Sequence, residues 1–280
     1  METVAEVYGG YRMELEETME GLRQRGQAFG ESAPQMIEDT RSQIEPQTQD
    51  LIEAVQDTSD VSTPQRTVLE VFAWSSIMVL FANIGLVFGS YILGPIVSIF
   101  VGKFGAALAA FVALPLYAHY QIKHSGGDDV TIRFQLLSLA IVQGVLTGFV
   151  VNNLYLSATP FAVLTPAIVT VSFAAISTSA NGNRVTLLGG SVGAAVGVNF
   201  LLGLITGYLT FVYFLLTLTY AGIAAVTMQL VFKHVQGEDK GHVYQNILSC
   251  SFIVAKGMFY ILFGSYDSDV QMQNQPSDNK

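Results

Sequence analysis

The sequence predicts an all-α integral membrane protein, a bundle of seven transmembrane helices preceded by an acidic polar N-terminal arm. Three observations predict this class. The 280-residue chain is 51% hydrophobic and only 12% charged, whereas an average soluble domain carries roughly 25% charged residues. Long stretches without Asp, Glu, Lys or Arg follow one another from residue 71 onwards. The formal net charge of −9 arises in the first 65 residues.

The N-terminal arm, residues 1–65, is polar and acidic. It holds 14 of the 22 acidic side chains and four basic ones, a net charge of −10, whereas the rest of the chain carries +1. This composition is typical of a segment that is partly disordered or transiently helical. A second hypothesis is that the arm folds on contact with a protein partner. A polar acidic segment does not adhere to anionic lipid, so we expect no lipid anchor here.

The body, residues 66–266, contains enough apolar sequence for seven helices, because a membrane-spanning helix needs about 20 apolar residues. Three blocks are each long enough for two spans and a fourth provides the seventh: 71–122, interrupted by Lys103, then 134–183, 185–232 and 242–265. Turn residues are expected to divide the three long blocks at Gly94-Pro95, at Asn152-Asn153 through Thr159-Pro160, and at Thr206-Gly207. A short polar tail, 267–280, follows the body.

The last apolar stretch carries a polar stripe. The residues His242, Gln245, Asn246, Ser249 and Lys256 fall on one face of a helix at 100° per residue. This spacing predicts a helix that buries the stripe in the bundle, as a candidate interior polar site. The alternative is a re-entrant segment, which would leave six spans.

Two lysines, Lys103 and Lys256, stand inside the expected spans. They either reach towards the membrane interface or face the bundle interior and pair with carboxylates. Candidate ion-pair or loop residues are Lys103, Glu238, Asp239, Asp267 and Asp269.

The basic residues of the loops all fall on one side of this topology. They are Arg66, Lys123, Arg133, Arg184, Lys233 and Lys240. The positive-inside rule assigns that side, and with it the N-terminus, to the cytosol. With seven spans, the C-terminal tail lies on the opposite face.

Several functions are disfavoured by what the sequence lacks. No catalytic constellation is visible, so we expect no enzyme, no cofactor and no metal site. The single cysteine, Cys250, cannot form a disulfide within the chain. The chain has no basic patch for nucleic acid. Its expected surroundings are the lipid bilayer.

Small residues recur at four-residue spacing in the expected spans. The pairs are Gly144/Gly148, Gly189/Gly193, Gly193/Gly197 and Gly203/Gly207. GxxxG pairs permit close helix packing within the chain, and homo-oligomerisation through these faces is the alternative.

Four segments, in their order and spacing, carry a resemblance to a known family. They are Thr63-Pro64 with Val71-Phe72-Ala73; the run from Thr159-Pro160 to Phe173; Arg184 with Leu187-Leu188-Gly189-Gly190; and Thr227-Met228-Gln229-Leu230 with Gly237-Glu238-Asp239 and His242-Val243-Tyr244. Over about residues 62–265 the chain resembles the Bax inhibitor family, the transmembrane Bax-inhibitor-motif proteins.

The resemblance implies a multi-pass regulator of cell death and intracellular calcium homeostasis, in the endoplasmic reticulum or another intracellular membrane, with calcium ions as a partner. It also implies a latch of two aspartates, in the sixth and last helices. The matching positions carry no carboxylate, so we expect the latch to be absent; they are Val226 or Thr227, Ile247 or Leu248, and Ser251 or Phe252. Two alternatives are a transporter or channel of another class, and a non-conducting membrane scaffold that acts through the acidic arm.

Overall fold

The structure is a computed structural model that describes residues 45–46, 48–61, 65–124, 128–156, 161–235 and 241–266. The chain divides into two units, Met1–Glu53 and Ala54–Lys280. The described residues of the first unit are helical. Most of the acidic arm and the tail 267–280 lie outside the described residues.

From residue 65 onwards the described chain forms seven helices and one small antiparallel sheet. The helices are α1 (Gln65–Phe100), α2 (Lys103–His124), α3 (Asp129–Val150), α4 (Thr165–Ser177), α5 (Arg184–Ile205), α6 (Phe211–His234) and α7 (Gly241–Phe263). A 3₁₀ turn, Ala162–Leu164, precedes α4. The strands are β1 (Leu154–Tyr155) and β2 (Ser265–Tyr266).

Six of these helices, all except α4, are long and apolar enough to cross a membrane. Helix α4 together with the 3₁₀ turn before it forms a shorter apolar helix, Ala162–Ser177. The α-helical character expected from the sequence is therefore confirmed, together with six candidate spans. The last of them, α7, is continuous over 23 residues, a length of about 34 Å. This is the length that a full crossing of the hydrocarbon core needs.

The break between α1 and α2 lies at Val101-Gly102, so the expected turn at Gly94-Pro95 is wrong. Helix α1 continues through this dipeptide because a π-helical turn, Gly89–Leu93, comes directly before it. Proline removes one backbone hydrogen-bond donor and its ring crowds the preceding turn. A wider π turn accommodates both effects without ending the helix. Pro95 then occupies the first turn of the next α-helical segment, where proline is tolerated.

The expected turns at Asn152-Asn153 and at Thr206-Gly207 are confirmed, whereas Thr159-Pro160 lies outside the described residues. Helix α3 ends just before Asn152-Asn153, and Asn153 adopts the left-handed conformation with φ of 74°. Helix α5 ends just before Thr206-Gly207, where Gly207 has φ of 71°. Glycine and asparagine are the residues that accept this conformation at least cost.

Glycines on both α1 and α3 allow these two helices to touch along their backbones. A side chain added at Gly144 would overlap the carbonyl of Ala82, and one added at Gly148 would overlap the carbonyl of Leu86. On α1, Gly89 faces the α3 backbone in the same way. The Ser90 hydroxyl also donates to the Gly148 carbonyl across the contact, at 2.9 Å. Close small-residue contacts of this kind stabilise helix pairs in membranes.

The core lies around α6 and α7. Tyr220 of α6 stacks on Phe252 of α7 with ring centroids 4.3 Å apart, and the buried residues Met228 and Leu248 belong to the same hydrophobic cluster. That cluster also takes in buried residues of α1, α4 and α5. A second, smaller cluster joins α1, α2 and α3 to Ile253 of α7.

The bundle has two distinct ends. At the charged end, α1, α3, α5 and α7 begin and α2, α4 and α6 end. Gln65 there donates to the Ser177 carbonyl at 3.1 Å, which places the start of α1 beside the end of α4. At the opposite end, β1 pairs with β2, Leu154 with Tyr266 and Tyr155 with Ser265. The end of helix α4 therefore lies at the charged end, and its first residue, Thr165, accepts a hydrogen bond at 3.0 Å from Asn199 of α5.

The outer surface between the two ends is apolar. Large apolar side chains that are more than half exposed occur on several helices; examples are Ile99, Phe104, Phe134, Val171, Leu201, Ile205 and Phe211. A water-soluble protein of this size rarely exposes so continuous an apolar surface. Helices with such surfaces satisfy their backbone polar groups internally, as hydrocarbon surroundings require.

Candidate functional site

The polar stripe of α7 is buried against α1. Gln245, Asn246, Ser249 and Lys256 are each no more than 8% exposed. The Ser249 hydroxyl donates to the Gln245 carbonyl at 2.7 Å, and the hydroxyl of Ser75 on α1 donates to that carbonyl at 3.3 Å. The expected burial of the stripe is confirmed for these four residues. The Ser249 hydroxyl also lies 3.5 Å from the sulfur of Met78 on α1, so this part of the stripe joins α7 to α1.

The first residue of the stripe, His242, joins an ionic cluster at the charged end. Its Nε2 atom contacts the carboxylate of Asp129, at the start of α3, and its Nδ1 atom lies 3.2 Å from Gln245 Oε1. Arg133 also pairs with Asp129, at 2.8 Å, and with Glu70 of α1, at 3.2 Å. The cluster thereby ties the starts of α1, α3 and α7 together.

Aromatic packing supports the same cluster. The Arg133 guanidinium lies 5.2 Å from the ring centroid of Trp74, a cation–π contact. The Arg133 side chain is only 17% exposed, so its two carboxylate partners and this ring replace most of its water. The arrangement fixes α3 against α1 where both helices begin.

Lys256 has a partner that the sequence pattern does not indicate. Its ammonium donates to the side-chain carbonyl of Asn83 on α1. Both side chains line a cavity of about 10 Å³ together with Tyr220, which is about the space that one water molecule needs. The expected carboxylate partners, Asp267 and Asp269, lie outside the described residues.

Lys103 lies at the first position of α2, at the opposite end of the bundle, and not inside a span as expected from the sequence. Its ammonium donates to the carbonyl of Asn152, just beyond α3, at 3.3 Å. The side chain is exposed and does not meet Lys256. The remaining two candidates, Glu238 and Asp239, lie outside the described residues.

A segment of eight residues, 54–61, lies across the charged end, and we call it the strap. Ala54 is fully buried, and the Asp57 carboxylate pairs with the guanidinium of Arg184 at the start of α5. The Val61 amide donates to the Gly182 carbonyl at 2.8 Å. From α6, Gln229 donates to the Val55 carbonyl at 3.3 Å. The strap, which is the described C-terminal part of the acidic arm, is therefore attached to α5 and α6.

Arg184 is the buried charge on which the strap docks. Its side chain is 4% exposed, and the guanidinium lies 5.5 Å from the ring centroid of Phe232. A charge buried to this degree needs a partner of opposite sign. Asp57 is its carboxylate partner in the described structure, so detachment of the strap would leave a buried cation behind.

The strap also sets the ionisation of Asp57. The Ser59 hydroxyl donates to its carboxylate at 2.7 Å, and the Ser59 backbone amide donates at 2.9 Å. These bonds, with a further contribution from Arg184, hold the pKa of the Asp57 carboxyl well below its usual range. The carboxylate therefore stays charged, and available to Arg184, at every physiological pH.

The glycine pairs behave in two ways. Gly144 and Gly148 pack within the chain, as expected from their spacing. In contrast, side chains added at Gly189, Gly193 and Gly197 of α5 would meet no described atom within 4 Å. Homo-oligomerisation through this exposed stripe stays a prediction.

Several residues of these sites are not found from the sequence. Asn83 could have been found, because it is the only amide side chain in α1 after its first residue. Asp57 and Ser59 could not, because nothing in the composition of the acidic arm distinguishes two of its many polar residues. Arg133 is identified from the sequence only as a basic loop residue, and Asp129 is not singled out. The pairing of the two depends on which helices are neighbours.

These features define a class: a helical bundle with an apolar outer surface, six candidate membrane spans and its described charges gathered mainly at one end. Comparison with protein families places the chain within a particular group. Residues 1–266 match the family described as "Interactor of ZYG-11". The chain belongs to this family. None of the curated proteins and none of the solved structures matches it.

The family match overturns the resemblance to Bax inhibitors. It covers the acidic arm as well as the bundle, whereas the Bax inhibitor resemblance began near residue 62. The expected role in cell death and calcium homeostasis rested on that resemblance and is wrong. The absence of the two latch aspartates, at positions such as Thr227 and Leu248, agrees with this correction.

Proposed function

We propose that this chain is an integral membrane protein that binds a ZYG-11-type protein through its acidic arm, at the cytosolic face of the membrane. The observation that carries the proposal is the family match over residues 1–266. That family is described by its interaction with ZYG-11, and the match includes the whole arm.

The bundle supports placement in a membrane. Six helices have the length and composition of membrane spans, and the shorter apolar α4 packs among them with its last residue at the charged end. We propose seven crossings in total. Arg66, Arg133 and Arg184 gather at the charged end, and the positive-inside rule would place this end in the cytosol.

The arm supports the choice of binding surface. With 14 acidic and four basic side chains in residues 1–65, it offers a partner a strongly negative segment. A partner with a basic surface would be steered towards it, and the association would weaken as salt is added. Disordered or transiently helical segments commonly fold when they bind.

The strap supports a connection between the arm and the bundle. It fixes the C-terminal end of the arm to Arg184 and to Gln229. A partner bound to the arm would therefore be tethered to the charged end through the chain itself. The protein would act as a membrane anchor for its partner.

The proposal is tested by measuring binding of purified ZYG-11 to the full chain in detergent and in lipid nanodiscs. We expect a saturable complex. Replacing Glu14, Glu16, Glu17 and Glu20 with glutamine should weaken it about tenfold or more, because interfacial charges set both the association rate and the salt dependence. This substitution leaves the bundle and the strap untouched.

A matched control comes from the other terminus. Removal of the acidic tail 267–280, which lies outside the matched residues 1–266, should leave the affinity unchanged. The proposal would be rejected if the full chain failed to bind ZYG-11 under both conditions. Equal loss of affinity on neutralising the arm and on removing the tail would reject the arm as the binding surface.

A further inference from the structure

The opposite end of the bundle contains a pocket of about 220 Å³ that the proposed function does not use. It lies between α1, the turn after α3, β1 and α7. Its walls combine apolar residues with three tyrosines and two asparagines, among them Tyr91, Tyr155, Asn152 and Asn153. Its size and mixed lining are those of a site for a small polar group.

The pocket wall is built from unusual backbone. Ser90 and Tyr91 belong to the π-helical turn Gly89–Leu93, and such turns occur frequently at functional sites. On the facing side, Asn153 has φ of 74°, a conformation that non-glycine residues adopt uncommonly. The β1–β2 pairing then holds Tyr155 at the rim. These elements fix the shape of the pocket before any ligand arrives.

The polar groups of the pocket favour an anion. None of its ten lining residues carries a carboxylate, and the tyrosine hydroxyls and asparagine amides are hydrogen-bond donors. The ammonium of Lys103 is held beside the pocket by the Asn152 carbonyl, 3.3 Å away. An ammonium has three donors, so this bond leaves two for a ligand.

The position of the pocket points to a lipid. It lies where α3 ends, at the level at which a membrane-spanning helix would leave the hydrocarbon. Val87 and Tyr91 line it and are 53% and 82% exposed on the outer surface. The neighbouring Ile84 and Phe88 continue this exposed apolar surface along α1. A headgroup in the pocket would therefore have a path for its acyl chains along α1.

We propose that this pocket binds the phosphate headgroup of a membrane phospholipid, with Lys103 contacting the phosphate. The inference rests on the membrane placement proposed above and is independent of the protein partner. Tyrosines suit this level of a membrane, because their rings are apolar and their hydroxyls are polar. The phosphate ester is the group recognised, and the acyl chains lie outside the pocket.

The test uses the purified full chain, freed of lipid in detergent, and native mass spectrometry to count bound molecules. The probes are dioleoylphosphatidylglycerol, dioleoylglycerol with the same chains but no phosphate, and soluble glycerol 1-phosphate. We expect one tightly held phosphatidylglycerol per chain, and at least tenfold weaker binding of either other probe. Binding of ZYG-11 is not involved, so this result does not depend on it.

Two substitutions locate the site. Lys103→Gln should weaken phosphatidylglycerol binding about tenfold, because hydrogen bonds to charged groups are the stronger ones. Tyr155→Phe removes one hydroxyl and keeps the ring, and a several-fold loss is expected. Lys123→Gln, at the end of α2 on the charged side, is the matched control and should change nothing.

Three outcomes would overturn the proposal. Dioleoylglycerol binding as tightly as phosphatidylglycerol would show that only the chains are recognised. Glycerol 1-phosphate binding as tightly would assign the pocket to soluble phosphate esters. Equal affinity of the Lys103→Gln and Lys123→Gln variants for phosphatidylglycerol would place the lipid elsewhere.

Discussion

Replacing Gly148 with valine should destabilise the bundle by about 3 kcal/mol or more, because the new side chain would overlap the Leu86 carbonyl of α1. Backbone atoms cannot move aside as the end of a flexible side chain can, so α3 must shift away from α1. The Ser90 bond to the Gly148 carbonyl would be lost with the contact. In detergent, we expect the midpoint of thermal unfolding to fall by roughly 10 °C.

The exposed stripe of α5 supplies the control for this experiment. Gly193 lies within a helix of the same length, and a side chain added there meets no described atom within 4 Å. Gly193→Val should therefore change stability by no more than about 0.5 kcal/mol. An equal fall in the unfolding midpoint of both variants would show that the loss of a glycine, and not the α1–α3 contact, causes the destabilisation. The same variant reports on oligomerisation, since it would dissociate any oligomer formed through that stripe.

The second large effect is expected at the strap. Arg184→Gln removes the cation that pairs with Asp57 and leaves the strap without its main attachment. The Val61 amide, which donates to the Gly182 carbonyl, should then exchange its hydrogen about tenfold faster or more. Hydrogen exchange measured by mass spectrometry on peptides covering 54–61 reports this directly.

The same attachment predicts a dependence on pH. The pKa of Asp57 is lower in the docked strap than in a free carboxyl, whose usual value is about 3.9. The lowered pKa therefore stabilises the docked strap at any pH above the pKa of the free carboxyl. This stabilisation is lost as the pH falls below it. In the wild-type chain, protection of the Val61 amide should decrease below about pH 4 once the intrinsic exchange rate is corrected.

Arg133→Gln is the control for both strap measurements. Arg133 also lies at the charged end, but its partners are Glu70 and Asp129, and it does not contact the strap. Its loss should leave exchange at Val61 and the pH dependence as in the wild type. Loss of protection at Val61 in both variants would attribute strap docking to the stability of the whole charged end.

Much of the fold could be predicted from the sequence because membrane helices carry a simple signal. Each crossing needs about 20 apolar residues, so the length of a charge-free block such as 134–183 predicts how many helices it contains. Turn residues such as Asn153 then show where the block divides. The Gly94-Pro95 pair wrongly predicted a turn between two helices, because a π turn can accommodate a proline inside one continuous helix. That outcome depends on local backbone hydrogen bonding, which composition does not determine.

The sites were harder to predict because they depend on which helices are neighbours. The buried face of α7 follows from its spacing, yet Lys256 meets Asn83 only because α1 packs beside α7. The mistaken family resemblance has a compositional cause. Apolar helices draw on few residue types, so short runs such as Leu188-Gly189-Gly190 recur between unrelated membrane proteins.

The most direct test of the proposed membrane topology is the side of the membrane on which each terminus lies. The chain has one cysteine, Cys250, so a Cys250→Ser variant accepts single reporter cysteines at Ser42 in the arm and Ser277 in the tail. A membrane-impermeant maleimide is added to sealed vesicles whose cytosolic face points outwards. Seven crossings predict that Ser42→Cys reacts at once and that Ser277→Cys reacts only after detergent is added. Immediate reaction at both positions would contradict the seven-span bundle, and protection of Ser42→Cys until detergent is added would contradict the cytosolic location proposed for its charged end.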